Sequence, residues 1–104
     1  MDAKSNVLTL DGEIDLHLSP EVAASLRAMI LKYPSRIIVD LGRVTYLDSS
    51  GLAVLIDGMS ETKKYGGKFS LAAVQESVLQ ILEIARLDQV FTIFPNVDRA
   101  LAAA

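Results

Sequence analysis

Asp48, Ser49, Ser50 and Gly51 stand where a β-rich run gives way to a helical pattern, and there side-chain type and spacing converge on chemistry. The first turn of a helix presents backbone N–H groups that have no intrahelical partner and carry partial positive charge. Phosphorylating a hydroxyl at such a place adds about −1.5 to −2 charge and three acceptor oxygens, which those N–H groups could receive. The same residues also fit a plain helix start, with Asp48 or Ser49 capping and Gly51 giving room. Both readings stand on spacing alone. Taking about 100° per residue from Leu52, the positions Val54, Asp57, Gly58 and Glu61 fall opposite the apolar stripe of the helix. A mid-helix glycine costs about 0.8–1.0 kcal/mol relative to alanine, so Gly58 is expected where another backbone comes close. With small Ala53 and an exposed Val54 near the serines, this face reads as a contact surface.

Other chemistry is poorly supplied. His17 is the single histidine and fits a surface or capping residue as well as a base. Asp15 and His17 could touch one metal ion, but two ligands do not complete a site, and there is no cysteine or second histidine to finish it. Neither a metal nor a cofactor is expected. Gly66, Gly67 and Lys68 lack the companions of a phosphate loop, because Thr62 and Phe69 occupy the places that need Gly and Ser or Thr. They are expected to stop a helix.

The elements that position these residues follow from periodicity. Val7–Leu10 begins a strand that passes Asp11 and Gly12 through a bulge towards Ile14. Ser19, Pro20 and Glu21 supply an N-cap, a first-turn proline and a first-turn acid, and Val22, Leu26, Met29 and Ile30 give that first helix one apolar face. Pro34 ends it. Ile37, Ile38 and Val39 are a continuous β-branched run, expected in a strand of Arg36–Leu41 buried on both faces. A short segment, Val44–Leu47, follows Gly42 and leads to Asp48. Leu52, Leu55, Ile56 and Met59 face inward on the second helix, and Lys68–Ala72 makes the next strand. A third helix spans Gln75–Ala85, with Val78, Leu79, Leu82 and Ala85 inward. Phe91–Phe94 forms a last strand, and Asn96 caps a terminal helix. The order βαβαβαβα predicts an α/β domain: a small mixed, largely parallel sheet with helices packed on it.

Composition bounds the rest. At 104 residues the chain fits one domain spanning 1–104, and 51% hydrophobic against 22% charged residues is enough to build a core. Ten Lys and Arg against 13 Asp and Glu leave a net charge of −3, which offers no footprint for nucleic acid. The absence of cysteine excludes a disulfide scaffold. No apolar run approaches the ~20 residues of a membrane span and no signal peptide is visible, so a soluble, cytoplasmic protein is expected.

The run Tyr46, Leu47, Asp48, Ser49, Ser50, Gly51, Leu52 resembles the signature of the STAS domain, shared by anti-sigma factor antagonists and the cytoplasmic ends of sulfate transporters. Gly12, Glu13, Ile14 and Asp15 resemble that family's early turn, and Ile38–Leu41 its central strand. Gly66 and Gly67 resemble its loop after the second helix; Leu87, Asp88 and Phe91 resemble its ending. In the antagonist branch the residue directly after the signature Asp is phosphorylated, which carries over to Ser49, with Ser50 the less favoured hydroxyl. The resemblance implies an anti-sigma factor with serine kinase activity as partner, bound when Ser49 is unmodified and released when it is phosphorylated, and a phosphatase that resets the switch. It makes the chain a binding module and a kinase and phosphatase substrate, not an enzyme. The partner-binding face would comprise Asp15, Asp48, Ser49, Ser50, Gly51, Ala53, Val54, Asp57 and Gly58.

Ala53 stands where many antagonists have Gly. The family also has a strand before its early turn, whereas only Met1–Ser5 precede Val7, so that strand is expected to be short or missing. The edge it leaves open near Val7–Leu10 would then pair with a second copy, giving a homodimer. Small STAS proteins of another branch serve as cytoplasmic subunits of ABC phospholipid transporters, beside a permease and an ATPase. Tyr46–Leu47 and Ala85–Asp88 resemble that branch. Some relatives have been proposed to bind or slowly hydrolyse nucleotides, with Asp15 and Asp48 near the site; no meaningful turnover is expected.

Overall fold

Three parallel crossovers organise the chain. The computed structural model describes residues 2–4 and 6–103. The element order is β1 (Asp2–Lys4), β2 (Val7–Ile14), α1 (Ser19–Ile30), β3 (Arg36–Leu47), α2 (Ser49–Lys64), β4 (Lys68–Ala72), α3 (Glu76–Ile84), β5 (Thr92–Phe94) and α4 (Val97–Ala102). In the sheet the strands lie in sequence order, β2 to β5 parallel and β1 antiparallel on β2. The expected mixed, largely parallel α/β fold is present.

Each crossover advances one strand in the same direction, so right-handed connections place α1, α2 and α3 on one face of the sheet. Their buried residues Val22, Leu26, Leu55, Val78 and Leu82 share a core with Leu8, Leu10, Ile37, Val39 and Leu71. The opposite face is covered by α4, whose Ala100 and Val97 pack with Ile38, Ala72 and Phe94. Burial on both sides explains why Ile37, Ile38 and Val39 are all fully buried, as their continuous apolar run predicts. Arg36 holds α4 in place: its guanidinium donates to the carbonyl of Ala100 at 3.0 Å and to those of Leu101 and Ala103, at the helix end where carbonyls run out of intrahelical donors.

Several local expectations need correction. Gly42 does not interrupt the chain, and Arg36–Leu47 is one strand, because β2 continues to pair with it as far as Leu47 after the pairing with β4 has ended at Asp40. The expected bulge is a pair of register shifts against β3, between Thr9 and Asp11 and between Gly12 and Glu13, and the extra residues lie in β3, between Asp40 and Arg43 and at Thr45, while Gly12 in β2 has φ +79. The edge near Val7–Leu10 is not open along Val7–Thr9: Asp2, Ala3 and Lys4 pair with Thr9, Leu8 and Val7. Three residues are too few to show a period, so this strand left no sequence signal, and the dimer argued from an open edge loses its basis. Ala85 is exposed, since α3 ends at Ile84.

The end of α2 follows the expected stop. Gly66 adopts φ +82, its N–H donates to the Lys63 carbonyl at 3.0 Å, and the Gly67 N–H donates to that of Thr62 at 3.0 Å. This pair of bonds is the Schellman arrangement, which a residue in the left-handed region makes possible. Asn96 caps α4 as expected, its side chain accepting the Arg99 N–H at 2.8 Å.

Candidate functional site

The turn after β2 and the start of α2 are joined through one carboxylate. β2 and β3 run side by side to Ile14 and Leu47, which delivers Asp15–Leu18 and Asp48–Gly51 to the same end of the sheet. Asp48 has extended backbone angles (φ −93, ψ −174) and caps α2. Its Oδ1 accepts the N–H of Ser50 at 2.9 Å, the N–H of Gly51 at 3.1 Å and the Ser50 hydroxyl at 2.5 Å. Its Oδ2 accepts the N–H of Leu16 at 3.0 Å, across the loop. The Asp48 N–H in turn donates to the Ile14 carbonyl at 3.2 Å. These donors favour the ionised form and hold the carboxyl below its ordinary value of 3.8. The Ser50 hydroxyl contributes most, the N–H groups of Gly51, Ser50 and Leu16 add to it, and desolvation opposes them.

In the unmodified chain the first-turn N–H groups expected to receive a phosphate are therefore not all free. Those of Ser50 and Gly51 are already engaged by Asp48. The two serines also differ in kind. Ser50 is half-buried and its hydroxyl is bound to Asp48, whereas Ser49 is exposed and its hydroxyl makes no hydrogen bond to any described residue.

Gly51 is buried and belongs to the packing, not to the exposed surface. A Cβ there would lie 2.7 Å from the Ile14 carbonyl oxygen, so only glycine lets the helix start close on the end of β2. Gly58 is buried as well, contrary to its expected outward position. Gly51, Leu55, Gly58 and Thr62 form the buried stripe of α2, because α2 packs against both the sheet and α1. Two glycines and a threonine carry no hydropathy signal, which displaced the predicted stripe to Leu52, Leu55, Ile56 and Met59. The close approach at Gly58 is internal: a Cβ would meet Phe69 Cε2 at 3.0 Å and Leu26 Cδ1 at 3.2 Å. Ser49, Ala53 and Asp57 are exposed at four-residue spacing along α2. Val54 is half-buried against the core, and with Asp57 it lines a groove of about 480 Å³ that α1 borders with Leu26, Arg27 and Ile30.

Asp15 turns the chain into α1. Its Oδ1 accepts the N–H groups of His17 at 3.0 Å and Leu18 at 3.1 Å, and its carbonyl accepts that of Ser19 at 2.8 Å. Ser19 is thus not the cap; it is the first helical residue, buried, behind Leu18 in helical conformation. His17 is exposed, and among the described residues no three His, Cys, Asp or Glu side chains gather as metal ligands. One residue escaped the sequence reading: Leu16, 75% exposed, is tied to Asp48 by its N–H. Tyr46, named there only as part of the signature run, is 45% exposed two residues before Asp48. The one available signal was Leu16 itself, an apolar residue between Asp15 and His17 that fits no strand or helix period.

A family model described as the STAS domain matches residues 2–100. The anti-sigma F factor antagonist of Paenibacillus polymyxa is 27% identical over 96 residues, which is 91% of this chain and 82% of that protein. The crystal structure of an anti-sigma factor antagonist from Mycobacterium paratuberculosis superposes with a TM-score of 0.84 at 26% identity, covering 96% of this chain and 86% of the other. A sulfate transporter family protein from Wolinella succinogenes shares the fold with a TM-score of 0.71 at 22% identity, over 98% of this chain and 87% of that one. Among the described residues no helix is long and apolar enough to cross a membrane.

Proposed function

The chain belongs to the STAS domain family, and on that premise we propose that it is a cytoplasmic anti-sigma factor antagonist switched by phosphorylation of Ser49. Unmodified, it binds an anti-sigma factor that is also a serine kinase; phosphorylated, it lets go, and a phosphatase resets it. Residues 1–104 act as one domain whose role is binding, with no catalytic turnover of its own. The relatives named as anti-sigma factor antagonists support the general role, whereas the likeness to the transporter protein concerns the fold alone.

The observation that carries the choice of Ser49 is the contrast between the two hydroxyls. Ser49 is exposed and makes no hydrogen bond to a described residue, while Ser50 already donates to Asp48. A phosphate on Ser49 would stand next to a carboxylate held ionised, with the N–H groups of Ser50 and Gly51 already engaged. The added charge then faces the partner without compensation, where an unpaired charge in a desolvated contact costs several kcal/mol. Leu16, Tyr46, Ala53 and Asp57 surround the switch on the proposed docking face, and Asp15 and Asp48 shape it from behind.

Incubation with the anti-sigma kinase and ATP, followed by mass spectrometry, tests the assignment. Phosphate on Ser49 supports it; phosphate on Ser50, or none, overturns it. A pulldown from the source cell that recovered a permease and an ATPase in place of an anti-sigma factor would overturn the sigma-factor role in favour of the transporter branch.

A further inference from the structure

At the opposite end of β3 from Ser49, β4 begins earlier than its neighbour: Lys68 and Phe69 precede Ser70, the first residue of β4 that pairs with β5. The uncovered stretch opens a groove of about 410 Å³, within the ~300–1,000 Å³ of small-molecule sites. Its apolar wall includes Met59, Phe69, Val90 and Phe94. Its polar side is cationic, with Arg36, Lys63 and Lys68, and among the described residues no acidic side chain lines it.

Ser70 supplies an independent indication. It is one of three buried polar residues among those described, at 6% exposure, and its hydroxyl has no hydrogen-bond partner among them. No described buried side-chain oxygen or nitrogen is both sealed from solvent and unpartnered, so the Ser70 hydroxyl retains an opening, and Ser70 lines this groove. A hydroxyl held by no neighbour and open to the groove can donate to an acceptor bound there. Thr92 lies beside Ser70 in register, adding a second hydroxyl-bearing residue to the lining.

We propose that this groove binds a small anionic amphiphile: a short apolar chain lying against Met59, Phe69, Val90 and Phe94, and a carboxylate or phosphate head received by Lys63 and the Ser70 hydroxyl, with Arg36 adding positive potential while its donors hold α4. The charge complementarity fixes the sign of the head group, and the lining demands the apolar body. Because the groove is at the far end of the sheet from Ser49, this proposal stands or falls apart from the switch.

Titration of the 15N-labelled protein with octanoate tests it, with octyl phosphate, octyltrimethylammonium and inorganic phosphate as companions. Octanoate is expected to shift the amides of Ser70, Thr92 and Val90 saturably, with a Kd on the order of 1 mM or tighter. Lys63→Ala and Ser70→Ala should each weaken it about fivefold or more while leaving the remaining spectrum in place. Comparable binding of octyl phosphate supports a general anionic head, and its failure narrows the ligand to a carboxylate. Equal binding of octyltrimethylammonium, equal binding of inorganic phosphate, or shifts confined to the α1–α2 groove would each overturn the proposal. So would unchanged octanoate affinity in both variants.

Discussion

The Ser50 hydroxyl stands 2.5 Å from Asp48 Oδ1, which makes the second serine of the signature part of the helix cap and leaves the first as the exposed hydroxyl. Mutating each should separate these roles. Ser49→Ala is expected to change stability by no more than about 0.5 kcal/mol, as for surface substitutions away from special features. Ser50→Ala removes a hydrogen bond to an ionised group and should cost on the order of 1 kcal/mol. Urea denaturation of both variants checks this; equal losses would show that the two hydroxyls are equivalent.

Ser49→Asp should keep the fold and its thermal midpoint within a few degrees, while binding of the anti-sigma partner falls more than a hundredfold, the equivalent of about 3 kcal/mol. Calorimetry against the partner measures the second quantity. Loss of folding in place of loss of binding would count against a switch.

Asp48 should give stability a pH signature. Its folded pKa lies below the unfolded value of 3.8, so its contribution is complete above that value and is lost as pH falls through the lower folded pKa. Asp48→Ala is expected to lower Tm by roughly 5 °C at pH 7, the size of a lost helix cap. The gap between the two proteins should shrink as pH drops below 3.8. A gap that is constant from pH 7 to pH 2 would remove the carboxylate from the explanation.

The two buried glycines of α2 should respond differently to alanine. Helix propensity alone predicts that both substitutions stabilise by about 0.8–1.0 kcal/mol. At Gly51 the new Cβ meets a backbone oxygen at 2.7 Å, which cannot move aside cheaply, so Gly51→Ala should instead destabilise by about 1–3 kcal/mol. At Gly58 it meets the tips of Phe69 and Leu26 at 3.0 and 3.2 Å, which have more freedom to yield, so that loss should be smaller. Denaturant midpoints of the pair decide the order.

Much of this was legible because period and punctuation agree. The β-branched run at Ile37–Val39 announced a strand buried on both faces, and Asp48, Gly66 and Asn96 marked helix ends through chemistry local to each. The failures share a cause: they concern neighbours that periodicity does not see. Ser19 looked like a cap, but Asp15, four residues earlier, turns the chain and takes the free N–H groups. Gly58 looked outward because glycine has no hydropathy, while α1 and Phe69 decide its place. At the start of α2, Asp48, recognised as a possible cap, engages the Ser50 and Gly51 N–H groups that an anion would otherwise find free.

The bond from Leu16 to Asp48 carries a kinetic consequence. It fastens the loop carrying an exposed leucine to the cap of α2, so the surface around Ser49 is ordered before any partner arrives. A surface assembled in advance loses little conformational entropy on association, and its differences in affinity appear mainly as differences in dissociation rate. Modification of Ser49 would then shorten the residence time of a complex whose two faces keep their shapes.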